Sequence, residues 1–137
     1  MIDETIFRIS KDIERAEDLF QRAKDRLEIM AFIPKDKYYK IIEEYYEVIK
    51  ELLTAMMYMD GYKTLSHMKV IEYFSENYSN LDEKEIKLID TLRKFRIGSL
   101  YYGRNISADF LLNNEEDIKK VIENLIKVVE DKIKNKQ

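Results

Sequence analysis

One stretch of the chain carries more chemistry than the rest: Leu92-Arg93-Lys94-Phe95-Arg96-Ile97-Gly98-Ser99-Leu100-Tyr101-Tyr102-Gly103. Arginine presents a planar fork of N–H donors that matches a phosphate, and a tyrosine beside it adds a stacking ring and a hydroxyl. Arg96, Tyr101 and Tyr102 therefore form a candidate ligand-binding set, with Arg96 and Tyr101 as candidate catalytic groups. His67, the single histidine of the chain, is the remaining candidate. Its side chain has an ordinary pKa nearest neutrality and suits proton transfer. Each residue also has a plainer reading. Arg96 would sit well as a cation at a helix C-terminus, and a lone histidine at a helix start is more often a half-exposed structural residue.

Other chemistry is thin. Glu14, Glu17, Glu43 and Glu44 are paired in carboxylate fashion, but no Glu-x-x-His spacing exists, so a di-metal bundle site is not expected. The chain has no cysteine, which removes disulfides and thiolate metal sites. Phosphate-loop, dinucleotide-turn and nucleophile-elbow motifs are missing. No metal and no cofactor are expected.

Composition sets the frame. At 137 residues one domain is expected, spanning 1–137, large enough to bury about 68% of its unfolded surface. Charged residues are 37% of the chain but the net charge is only −3, so no global field draws nucleic acid. No apolar run reaches the roughly 18 residues of a membrane span, and Met1-Ile2-Asp3-Glu4 does not look like a signal peptide. A cytoplasmic protein without membrane contact is expected. Abundant Lys and Glu with no cysteine also lean toward a thermophile source.

The elements that must position these residues read as helices, with no strand pattern. Ile6, Ile9, Ile13, Ala16, Phe20, Ala23, Leu27 and Met30 alternate spacings of three and four, predicting a first helix from about Asp3 to Met30. Pro34 ends it, and a second helix is predicted from about Lys35 to Met59 with so wide an apolar face that it must be central. Its Tyr38-Tyr39 and Tyr45-Tyr46 pairs read as boundary tyrosines rather than a base-stacking ladder, and Met56, Met57 and Met59 as core. Asp60-Gly61 stops that helix. A short third helix follows from about Leu65 to Tyr78, capped by Thr64 or Ser66. A fourth, opened by Asp82-Glu83, runs to about Tyr102 across Gly98, a glycine that suggests close backbone approach. Residues Arg104 to Asp109 read as a loop and Asn113-Asn114 as the cap of a fifth helix reaching about Ile133. The fold class is all-α: an antiparallel up-down helical bundle of four main helices plus one shorter helix. If successive helices reverse, the start of the third meets the end of the fourth, and His67 comes level with Arg96.

The whole arrangement resembles the HEPN family (higher eukaryotes and prokaryotes nucleotide-binding), with Leu92-Arg93-Lys94-Phe95-Arg96 and Tyr101-Tyr102-Gly103 as the nearest local match. The resemblance implies a small all-α domain that works as a homodimer. In active members an arginine, usually followed by a polar residue, precedes a histidine by four to six intervening positions, and the pair cleaves RNA without a metal at the dimer cleft. Other members pair with a nucleotidyltransferase as toxin and antitoxin. Arg96 matches that arginine, but Ile97 stands at the polar position and Tyr101 where the histidine belongs. Tyrosine, with a pKa of about 10, is a poor base at neutral pH. The resemblance thus implies an RNA- or nucleotide-binding or protein-interaction module that has lost ribonuclease activity. The alternatives are a metal-independent endoribonuclease using Arg96 with His67 or Tyr101, and a purely structural oligomerising bundle.

Overall fold

The computed structural model describes residues 5–98 and 104–135. Five helices and a two-stranded ribbon follow one another as β1 (Ile6–Arg8), α1 (Ile13–Met30), α2 (Tyr38–Asp60), β2 (Tyr62–Thr64), α3 (His67–Asn77), α4 (Glu83–Ile97) and α5 (Arg104–Lys134). The protein is an all-α bundle, and none of its described helices is long and apolar enough to cross a membrane.

Helix α2 is the central element, as its wide apolar face required. Ile42, Ile49, Leu52, Leu53, Met56 and Met57 are all buried, and α2 packs against α1, α3, α4 and α5. Each large side chain buried in this way contributes about 1.5–3 kcal/mol. The four main helices alternate in direction. Arg15 lies over Tyr58 and Arg26 bonds Glu44, so α1 runs antiparallel to α2. Phe95 packs on Phe110, and Asn124 bonds the carbonyl of Asn80 just before α4, so α4 opposes α5. Tyr45 bonds Glu115 and Asp60 bonds Lys132, so α5 runs with α2.

Three expected boundaries shift. The first helix begins at Ile13, because Asp12 caps it and the preceding residues form β1 instead, paired antiparallel to β2 with Phe7 opposite Lys63. Ile6 and Ile9 fit a three-four spacing, but Ile6 pairs with Thr64 of β2 and Ile9 N–H donates to the carbonyl of Gly61 just before it, so neither joins a helix. A tertiary partner some fifty residues away overrides the local pattern. Helix α4 ends at Ile97 rather than near Tyr102. Gly98 is its left-handed cap at φ +71°, with nothing near its missing Cβ. The close backbone approach belongs to Gly61, where a Cβ would meet the Ile9 carbonyl oxygen at 3.0 Å. Finally, Arg104 to Asp109 is helical, and α5 runs unbroken from Arg104. Ser107 and Leu111 extend the buried stripe of Ile118, Val121, Ile122 and Leu125 backwards, and Asn114 bonds the Phe110 carbonyl within the helix instead of capping it.

The ribbon also sets the course of α3. Leaving α2 at Gly61, β2 is extended and runs back along the bundle before Ser66 caps α3. The start of α3 therefore lies against Tyr46 while Tyr73 and Tyr78, at its end, reach Asp60. So α3 runs the same way as α2; the expected reversal between these two helices does not occur. The α3–α4 reversal remains, and it is the one that brings the candidate residues together.

Candidate functional site

Three helices converge midway along α2. From α2 come Tyr46, Glu47 and Lys50; from α3, His67; from α4, Asp90, Arg93 and Arg96. His67 opens α3 directly after Ser66, whose hydroxyl accepts the N–H of Lys69 and whose own N–H donates to Thr64 Oγ1. The Thr64 hydroxyl in turn donates to the Thr5 carbonyl. The histidine is thereby placed by a cap that the ribbon holds in position.

The His67 ring stacks on Tyr46, with centroids 5.9 Å apart and planes 17° from parallel. The Tyr46 hydroxyl lies 2.9 Å from His67 Nδ1. Tyr46 is only 1% exposed and its hydroxyl has no other hydrogen-bond partner among the described residues. A buried hydroxyl that failed to donate would waste a hydrogen bond, so Tyr46 donates and Nδ1 accepts. In the neutral ring the proton then sits on Nε2. Burial, followed by the positive charge of Lys50, lowers the His67 pKa from its ordinary value, while Glu47 opposes the shift. Burial, reinforced by Glu47, pushes the Tyr46 phenol well above its usual range, so it stays protonated.

On the other side of Glu47 stands the candidate arginine. Arg96 Nε is 3.9 Å from Glu47 Oε1, and the side chain is 46% exposed. Lys50 Nζ is 3.2 Å from the same oxygen. Arg93, almost fully buried, donates to Asp90 at 2.7 Å, and Asp90 also faces Lys94. Arg96 and Arg93 both act on His67 through their charges. The structure thus brings Arg96 and His67 to the same end of α4 and α3, joined through consecutive residues of α2. Tyr101 and Tyr102 lie outside the described residues.

Tyr46, Glu47 and Lys50 escaped the reading of the sequence as site residues. Their signal was the placement of Glu47 and Lys50 on one helix face, but the helix is rich in such pairs. Tyr45 and Tyr46 are both buried, with hydroxyls bonded to Glu115 and His67, so neither offers a face for base stacking. The acidic Glu115 is occupied by Tyr45. Among the described residues no group of acidic or histidine side chains could hold a metal. A cavity of about 760 Å³ between the start of α1 and the end of α5 lies away from this cluster.

The model of the HEPN domain matches residues 11–136. The chain belongs to the HEPN family. The match takes in all five helices and leaves β1 outside it. No curated protein and no solved structure matches the chain. Membership makes this a domain of a nucleotide-binding and ribonuclease-type family, in line with cations gathered from two helices around a histidine.

Proposed function

We propose that this HEPN domain binds RNA or a nucleotide through phosphate, at the cluster of Arg96, Lys50 and His67, without cleaving it. The observation that carries the reading is the convergence of Arg96 and His67, from separate helices, on Tyr46 and Glu47. Arg96 keeps an exposed guanidinium there, able to hold a phosphate by charge-assisted hydrogen bonds. His67, with Nδ1 taken by Tyr46, offers an Nε2–H donor to the same anion.

The tautomer is what argues against cleavage. A base for the RNA 2′-hydroxyl needs a free ring lone pair, and in neutral His67 the lone pair is spent on Tyr46. The neutrality of the ring near pH 7 favours the second reading, a metal-independent endoribonuclease using Arg96 with His67 or Tyr101. That reading requires the Tyr46 hydroxyl to rotate and Nδ1 to take the proton. The module works as a homodimer in the cytoplasm; the exposed Leu65 and Met68, which flank His67 in the chain, and Ile97, which follows Arg96, support the dimer. A nucleotidyltransferase partner, in a toxin–antitoxin pair, fits the same family.

The test is fluorescence anisotropy with labelled single-stranded RNA, comparing wild type with Arg96→Ala, together with a gel for cleavage. Weaker binding by Arg96→Ala, a salt slope shallower by about 0.7, and intact RNA are expected. Binding indifferent to both salt and Arg96 would remove the phosphate contact and leave a structural bundle. Cleavage by wild type that Arg96→Ala abolishes would instead establish the enzyme; equal cleavage by both would point to a contaminant.

A further inference from the structure

Glu47 is out of place in a site for anions. Its side chain is only 16% exposed, and it lies where a bound phosphate would collect its contacts. Lys50 Nζ is 2.9 Å from Oε2 and 3.2 Å from Oε1, and Arg96 Nε is 3.9 Å from Oε1. Oε2 is buried and makes no hydrogen bond, its closeness to Lys50 being an ion pair without the alignment of a bond. Arg93 is engaged elsewhere, donating to Asp90 at 2.7 Å. Glu44 of the same helix also pairs with a lysine of α2, Lys40, and with an arginine of another helix, but Arg26 bonds it at 2.8 Å; at Glu47 the second helix supplies only the loose 3.9 Å contact of Arg96, and Oε2 is left without a bond.

We propose that the Glu47 carboxylate is a built-in stand-in for the ligand's phosphate, which must be displaced from Lys50 and Arg96 before a ligand can use them. The proposal rests on the phosphate-binding reading above and adds how that site selects. A single phosphate would only exchange one anion for another. A ligand with neighbouring phosphates gains contacts beyond the exchange, from the exposed edge of Arg96 and from His67 Nε2–H. The ligand class is therefore one carrying adjacent phosphates, either a stretch of RNA backbone or a nucleoside polyphosphate. Displacing Glu47 also leaves a half-buried carboxylate to find new solvation, which raises the threshold for weak anions.

Three probes separate the sources: a single-stranded RNA ten-mer, ATP and AMP, each titrated into wild type, Glu47→Gln and Arg96→Ala at fixed salt. Glutamine keeps the shape of Glu47 and removes its charge, and thermal melting confirms that the variant is folded. Glu47→Gln is expected to bind RNA or ATP roughly three- to tenfold more tightly than wild type, since one opposing charge is gone. Wild type is expected to bind AMP more weakly than the better of the other two. RNA alone, or ATP alone, tightening with Glu47→Gln would identify the source. A purely structural Glu47 predicts the opposite sign or no change. So unchanged or weaker binding by Glu47→Gln, with Arg96→Ala still impaired, overturns this inference while sparing the phosphate site. AMP bound by wild type as tightly as RNA and ATP also overturns it. Arg96→Ala binding as wild type does overturns the underlying reading instead. Lys50→Gln supplies a second variant, expected to weaken binding.

Discussion

Replacing Tyr46 by phenylalanine removes one oxygen atom and tests the link between the core and the candidate site. The ring and its stack on His67 remain, so the cavity term is small. What goes is the hydrogen bond to Nδ1, between two neutral groups. Such a bond contributes about 0.5–1.5 kcal/mol net. The lower half of that range applies, because His67 is half-exposed and water can reach its freed nitrogen. A loss of roughly 0.5–1 kcal/mol should lower the melting temperature by about 2–5 °C in a domain of this size. The second readout is sharper. The chain has one histidine, so a single imidazole signal reports on His67 without assignment. In wild type that signal should titrate below the ordinary value of about 6.5, chiefly because the ring is buried. A Tyr46 hydroxyl donating to Nδ1 stabilises the neutral ring, so Tyr46→Phe should move the titration upward. Nitrogen-15 shifts should report the Nε2–H tautomer in wild type and a mixture in the variant. A downward shift would mean that Nδ1–H donates to Tyr46, leaving Nε2 free as a base. His67 could then take the proton of an RNA 2′-hydroxyl.

Removing Arg26 should cost about 2 kcal/mol, read by urea unfolding, because it bonds Glu51 at 3.1 Å and Glu44 at 2.8 Å and its loss strands the buried Glu51. The figure is kept below that of a fully buried pair because the Arg26 side chain is 30% exposed. Asp60→Ala should cost about 2–4 kcal/mol by the same measurement, since its carboxylate accepts hydroxyls from Tyr73 and Tyr78 and pairs with Lys132. Burial pushes the Asp60 pKa up, but the bonds from Tyr78, Lys132 and Tyr73 outweigh it and hold the carboxyl below its ordinary value. The unfolded chain therefore takes up the proton first. This stabilisation should be complete above about pH 4 and fade as pH falls through the lower, folded-state value, a loss Asp60→Ala should not show.

Much of the architecture was legible in the chain itself. Burial of α2 on several sides follows from two apolar rows on one helix, since a surface wetted by water would not carry Ile41, Ile42, Val48, Ile49, Leu52 and Leu53 together. The stop at Gly61, a cap at Thr64 or Ser66 and the acidic opening of α4 at Asp82-Glu83 are local and could be read locally; the structure chooses Ser66 and adds the capping box of Asp82 with Glu85. That Arg96 and His67 come against the same stretch of α2 was also within reach, because the single reversal between α3 and α4 suffices for it. The strand at Ile6–Arg8 was not, because a strand is defined by its partner, and its partner is Tyr62–Thr64. Nor was the helical start of α5, where Ser107 is buried by packing that its own polarity does not announce. Tyr46, Glu47 and Lys50 look in the sequence like ordinary positions on a charged helix. Their meaning depends on which side chains of α3 and α4 are laid against them. Backbone preference and apolar spacing act between near neighbours and are written in the chain; whether a carboxylate is a surface ion pair or a placeholder for phosphate is decided by charges that only folding brings within a few ångströms.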